Sequence, residues 1–210
     1  RIGTDLLPME ALKIFSGADR LNMTKLALNL SGYVNGVAQK HAKTAREMFP
    51  GFEVHAVTNG VHVATWTHPA FAALYHSHFA QWAHEPEVLV RADILPDKEL
   101  WDAHGQAKAD LCAFVHDRTG VSFDPDRPII GFARRMTGYK RPDLVFGDIS
   151  RLTAIAEKHG FQLVFSGKAH PADQAGKESL HRIHKAMHDL SGRVPVAFLE
   201  NYNMSVAQVL

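Results

Sequence analysis

The sequence predicts an α/β fold built on a parallel sheet, and three observations carry that reading. Strand-like runs begin near Pro128 (PIIGFA), Phe161 (FQLVFSG) and Val194 (VPVAFLE). They lie about 33 residues apart, the length of a strand, a crossover helix and its turns. The runs are apolar throughout, as in strands covered on both faces by helices. Between them the period becomes helical. Leu144, Val145, Ile149, Leu152 and Ala156 line one segment, with Gly160 as its stop, and Leu180, Ile183 and Met187 line the next, ending at Ser191-Gly192. The last third of the chain therefore reads as the first half of a doubly wound domain.

Upstream the pattern changes. Residues 1–20 have no initiator Met and no evident opening element, the edge of a trimmed or partial chain. From Asn22 to Met48, Met23, Leu26, Ala27, Leu30, Val34, Val37, Ala38, His41 and Ala45 recur at helical spacing and predict one apolar stripe. Gly32 and Gly36 divide it into two helices, or one with a close contact or break at residues 31–36. The run EVHAV at 53–57 is a short strand, ended by the turn signal Asn59-Gly60; on spacing alone Asn59 is a turn residue. Residues 70–120 read as helical, with Leu100, Ala103, Ala107, Leu111, Phe114 and Val115 on one face. Trp82 and Trp101 are expected to be packing anchors there. Residues 117–127, with Gly120, Pro125 and mixed charges, read as a linker or domain edge.

Composition narrows the function. Of 210 residues 46% are hydrophobic and 21% charged, and the net charge is +1, which describes a globular protein with no global attraction to nucleic acid or membrane. There is no secretory signal and no uninterrupted apolar run of about 18 residues. The single Cys112 cannot form an internal disulfide and fits a reducing, cytoplasmic compartment. Histidine is abundant, 14 residues, but His76/His78 and His181/His184 lack a matching carboxylate or Cys set, so no metal site is assigned.

Polar residues gather where a parallel sheet binds ligands, beyond the carboxyl ends of its strands. Arg134, Arg135 and Lys140 follow the first strand, Lys168 and His170 the second, and Glu200, Asn201 and Tyr202 the third. With Arg141, the first group sets four cations within eight residues. Pro142 suits the first turn of a following helix, whose N-terminus would add its own attraction for an anion. The turn is neither a dinucleotide fingerprint nor a P-loop, because both glycine patterns are absent.

With these residues assembled, the chain resembles the α-glucan phosphorylases, the glycogen, starch and maltodextrin phosphorylases, in wording closest to the shorter bacterial type. The resemblance rests on NMTKLALNLSGYVNGVAQKH, VTNGVHVATW, ARRMTGYKRPD, FSGKAHPAD and FLENYNM, in the family's order from Asn22 to Met204. It implies a central piece of a GT-B architecture. Residues 1–68 would end the N-terminal Rossmann-like domain, 69–126 form a helical connector, and 127–210 open the C-terminal Rossmann-like domain as βαβαβ. It also implies a retaining glycosyltransferase that moves a glucosyl unit from α-1,4-glucan or maltodextrin to inorganic phosphate, giving α-glucose 1-phosphate. The cofactor implied is pyridoxal phosphate, acting through its phosphate, and oligomers are common in the family.

By the same resemblance Arg135 matches a position at the substrate phosphate and Lys140 one at the cofactor phosphate, and Arg134 takes a place often held by Lys. Tyr139 and Asn59 match residues that hydrogen-bond the glucosyl unit, which replaces the turn-only reading of Asn59. Trp66 matches an aromatic beside the cofactor ring, and Tyr202 and Asn203 fall where the family contacts the cofactor phosphate. Three departures matter. Gly32 stands where animal-type sequences carry a sugar-binding His. The Schiff-base Lys motif, Ser-Gly-Thr-x-x-Met-Lys, and the family's N-terminal glycine loop are not in these 210 residues. The isolated chain is therefore expected neither to hold the cofactor covalently nor to turn over. A nucleotide-sugar-dependent GT-B glycosyltransferase, or a non-catalytic glucan- or phosphate-binding piece, are the alternative readings.

Overall fold

The structure is a computed structural model that describes residues 8–17 and 20–210. It divides into two compact units, Arg1–Val61 and His62–Leu210. Of the stretch 1–20, residues 1–7 and 18–19 lie outside the described residues. Within the rest, a helix that the sequence did not announce, α1 (Met9–Ser16), opens the first unit.

The first unit continues with α2 (Met23–Leu30), β1 (Asn35–Gly36), α3 (Gln39–Met48) and β2 (His55–Ala56). Asn22 caps α2, its Oδ1 accepting from the Lys25 N–H at 3.0 Å. The break expected at 31–36 is present, and Gly36 explains it. A Cβ there would stand 2.9 Å from Ala42 N and 2.7 Å from His41 Nδ1. β1 and β2 pair in parallel with Asn35 opposite His55, so only two residues of EVHAV are in a strand. The single apolar stripe is not realised. Met23 and Leu30 are each 57% exposed, and Ala42 is the one buried residue of α3. The extended residues between α2 and α3 reset the helical phase, so positions before and after Gly36 no longer share a face.

The second unit holds α4 (Val63–Trp66), α5 (Pro69–His78), a 3₁₀ stretch Pro86–Ile94, α6 (Asp97–Thr119), β3 (Ile129–Ala133), α7 (Ile149–His159), β4 (Gln162–Ser166), α8 (Gln174–Asp189), β5 (Val196–Leu199) and α9 (Met204–Val209). Residues 70–120 are free of strand, as expected. α6 stops at Gly120, whose φ of 72° puts it in the left-handed region. Trp82 is buried and donates from Nε1 to His76 Nδ1 at 3.1 Å. Trp101, expected to be a second anchor, is exposed. It lies one position past Leu100, off the stripe that α6 buries through Ala103 and Val115.

β3, β4 and β5 form a parallel sheet in that order, with Ile130 opposite Leu163 and Leu163 opposite Val196. The predicted spacing is thus a βαβαβ unit. Alternation along β4 divides the core. Leu163 and Phe165 pack with Met136, Leu152 and Ile183 under α7 and α8, while Val164 packs with Val115, Ala197, Leu199 and Val206 against α6 and α9. β4 is buried along its whole length. β3 departs from the fully covered strand predicted, because Ile130 is 53% exposed and Gly131 is exposed as well. Its apolar run fits burial on both faces, but β3 is the sheet's edge and pairs only with β4 among the described residues.

Candidate functional site at the carboxyl ends of the strands

The loop after β3 is built by its neighbour strand. Beyond Ala133 the backbone keeps to the course of β4: Arg134 N–H donates to Ser166 O at 3.2 Å and Met136 N–H to Lys168 O at 3.1 Å. Met136 is fully buried and anchors this stretch in the core. Gly167 and Gly176 let the chains come this close. A Cβ on Gly167 would overlap Arg134 O, and one on Gly176 would overlap Met136 O. Neither glycine stood out in the sequence, yet a Gly directly after a buried strand is the signal that could have drawn attention to Gly167.

Past Met136 the chain makes a 3₁₀ turn, Gly138–Lys140, in which Lys140 N–H donates to Thr137 O at 3.0 Å. Arg141 then takes the left-handed region at φ 48°, Pro142 is buried, and a second 3₁₀ turn spans Leu144–Phe146. The helix expected to begin at Pro142 begins instead at Ile149, where Asp148 Oδ1 accepts from the Arg151 N–H at 2.8 Å. Leu144 and Val145, predicted to line that helix, are exposed at 63% and 38%. The cap decides: Asp148 accepts from the Arg151 N–H, whereas the residue before Pro142 is Arg141, whose side chain has no acceptor to cap a helix. The loop's positive field therefore comes from side chains, without a helix dipole.

Those side chains are available. Arg134, Arg135, Tyr139 and Arg141 are exposed and Lys140 is half-buried. None of the four cations forms an ion pair among the described residues; the loop carboxylate closest to them in sequence, Asp143, is held by Arg182. Lys140 Nζ stands 5.4 Å from the centre of the Tyr139 ring, which leans the two side chains together. The Thr137 hydroxyl, which sequence reasoning passed over, is buried without a hydrogen-bond partner among the described residues.

The other strand ends converge on this loop. Ser166 Oγ donates to Leu199 O at 2.7 Å in the interior, tying β4 to β5. Asn201, at φ 56°, turns the chain after β5, and Tyr202 donates a long hydrogen bond, 3.4 Å, to Ala133 O at the end of β3. Asn203 caps α9, its Oδ1 accepting from the Val206 N–H at 3.0 Å. Gln208 of α9 donates to Thr65 O at 3.0 Å, which brings α4, with the half-exposed Trp66, alongside α9. Lys168 is exposed, and His170 closes its own turn by accepting from the Ala172 N–H. Asn59 is exposed in the first unit, its N–H donating to Val37 O at 3.1 Å. A cleft of about 350 Å³ beside β3 is lined by Ile130, Phe132, Lys140 and Leu144, whereas a larger one of about 470 Å³ lies between α6 and β3 and holds none of the loop cations. Chemistry follows the cations rather than the volume. Among the described residues no group of three His, Cys, Asp or Glu could hold a metal ion, and no helix is long and apolar enough to cross a membrane.

Clustered unpaired cations and a buried hydroxyl at a sheet's carboxyl edge are suited to an oxyanion such as phosphate. Comparison with known proteins identifies the family. A family profile described as Carbohydrate phosphorylase matches residues 3–210. The chain belongs to the carbohydrate phosphorylase family. Among relatives of this family, the maltodextrin phosphorylase of Thermococcus litoralis is 32% identical, over 96% of this chain and 27% of its own length. The glycogen phosphorylase of Aquifex aeolicus is 33% identical, over 92% of this chain and 32% of its own. That of Mycobacterium tuberculosis is 30% identical, over 97% and 27% respectively. The chain thus spans between a quarter and a third of the length of these phosphorylases.

Proposed function

We propose that this chain supplies the phosphate-binding part of an α-1,4-glucan phosphorylase, which releases α-glucose 1-phosphate from glucan and inorganic phosphate with retention. The observation that carries the reading is the loop of four unpaired cations at the carboxyl end of β3, in a chain of the carbohydrate phosphorylase family. Arg135 binds the substrate phosphate through its forked guanidinium, and Lys140 supplies a point charge beside it. Tyr139, between them in sequence, directs its hydroxyl to the glucosyl unit. Cleaving a glycosidic bond against phosphate brings negative charge into a partly dry cleft, and fixed cations lower the cost of holding it there.

The residues present fit a second phosphate, that of pyridoxal phosphate. The buried Thr137 hydroxyl lacks a partner, as a donor to a phosphate oxygen would without its acceptor. Arg134, Lys140, Tyr202 and Asn203 would hold that phosphate, and Trp66 would lie beside the ring. The chemistry such a group would supply when bound is proton exchange at its phosphate. The same reading assigns residues 1–68, 69–126 and 127–210 to the end of one GT-B domain, a connector and the start of the second. The open edge of β3 supports it, since a doubly wound sheet continues past its first strand.

The test is phosphorolysis by the full-length protein. Lys140→Ala is expected to abolish glucose 1-phosphate release from maltodextrin while circular dichroism and thermal unfolding stay as in the parent. Near-normal turnover would remove Lys140 from the site. Glucosyl transfer from a nucleotide-glucose donor, with none to phosphate, would replace the reaction class.

A further inference from the structure

We infer that Asp143 and Arg182 form a positioning pair that fixes where Lys140 and Tyr139 stand; this rests on the phosphorylase reading of their loop. The loop is held at its start by the two backbone bonds to β4 and by buried Met136. Through Tyr139 and Lys140 its hydrogen bonds are local, within the 3₁₀ turn. Its far end is tied by a side chain 39 residues away in sequence: Arg182 Nε of α8 donates to Asp143 Oδ2 at 2.5 Å. A second arm of Arg182 donates to Ser179 Oγ at 3.0 Å, and Ser179 is 2% exposed, so the guanidinium itself is fixed to the core side of α8. The same helix meets the loop's start where Gly176 abuts Met136 O. α8 therefore holds both ends of the segment whose middle carries Tyr139 and Lys140.

Charge gives the pair a second effect. Asp143 is the carboxylate nearest to Lys140 along the chain, and an unengaged carboxylate three residues away competes with phosphate for that ammonium. Its engagement by Arg182 removes that competition and leaves Lys140 unpaired among the described residues. The Asp143 side chain is 24% exposed and that of Arg182 54%, so the pair contributes little to stability. Its influence falls on position, to which transfer chemistry is steeply sensitive.

The experiment uses the full-length protein with Asp143→Asn, Arg182→Gln, the double variant and Arg182→Lys, beside Lys140→Ala, assayed with maltooligosaccharide and inorganic phosphate. Each neutralising single variant is expected to lower kcat/KM for phosphate about tenfold or more, with KM for maltooligosaccharide held within about twofold. The double variant should fall no further than either single one, because each acts through the other. Arg182→Lys, which keeps the charge, should recover part of the loss. Thermal midpoints should stay within about 2 °C of the parent, as for a half-exposed pair. If Arg182→Gln fails to fold, Asp143→Asn against Lys140→Ala decides. Singles as active as the parent while Lys140→Ala is dead, or losses that add in the double variant, overturn the pair. Full activity of Lys140→Ala overturns the reading of the loop itself, and the pair's role with it.

Discussion

On the proposed reading Asn203 serves both as a helix cap and as a phosphate donor, and one substitution separates the two. Its Oδ1 caps α9 through the Val206 N–H, while its amide nitrogen has no hydrogen-bond partner among the described residues. Asn203→Asp keeps the acceptor, removes the donor and adds negative charge. The thermal midpoint should stay within about 2 °C, because Asp caps as well as Asn. Affinity for pyridoxal phosphate, followed by fluorescence titration of the full-length protein, should fall about tenfold or more through lost donation and repulsion. Unchanged affinity would leave Asn203 as a cap alone. Tyr202 belongs to the same corner but acts differently, since its hydroxyl already reaches back to Ala133 O and ties β5 to β3.

At the scale of elements, the contact that shapes the site is the crossing of the β3 loop by the start of α8. Gly176 is buried there, with the Met136 carbonyl occupying the space of a Cβ and Asp173 Oδ2 2.9 Å from it. Gly176→Ala must push α8 off the loop, although alanine is the better helix former. A loss of about 1–3 kcal/mol in chemical denaturation is expected, the range of core overpacking. A stabilised Gly176→Ala, as propensity alone would give, would show that α8 can shift without cost. The late start of α7 is the other lesson at this scale. Pro142 is compatible with a helix's first turn, but compatibility is weaker than a cap. Asp148, seven residues from the end of the basic run, takes the start of the helix away from the cations.

The second unit holds a sheet between two helical layers, with the two apolar clusters of the sheet meeting at β4 and a third, around Leu74, Leu95 and Ala103, between α5 and α6. The first unit buries little among its described residues, Ala42 and Val54 being its buried hydrophobics. Native-state hydrogen exchange on this chain should therefore find the slowest amides in β4, bonded on both sides, and the fastest strand amides in β1 and β2. Equal protection of both units would contradict this ranking of their cores.

The sequence by itself determined the βαβαβ unit. Strand runs, helical stripes and glycine stops repeat there at one period, and each is a local signal that packing only reinforces. The ordered motifs likewise made the family legible, and they named the basic run, Tyr139, Tyr202 and Asn203 as candidates. What the tertiary structure decided depends on residues distant in the chain. The open edge of β3, the orphaned Thr137 hydroxyl, the glycine crossings and the Asp143–Arg182 tie all arise between segments distant in the chain. Periodicity reports which face of an element is apolar. Which neighbour covers that face, and which charge is left unpaired beside it, is a property of the packed molecule.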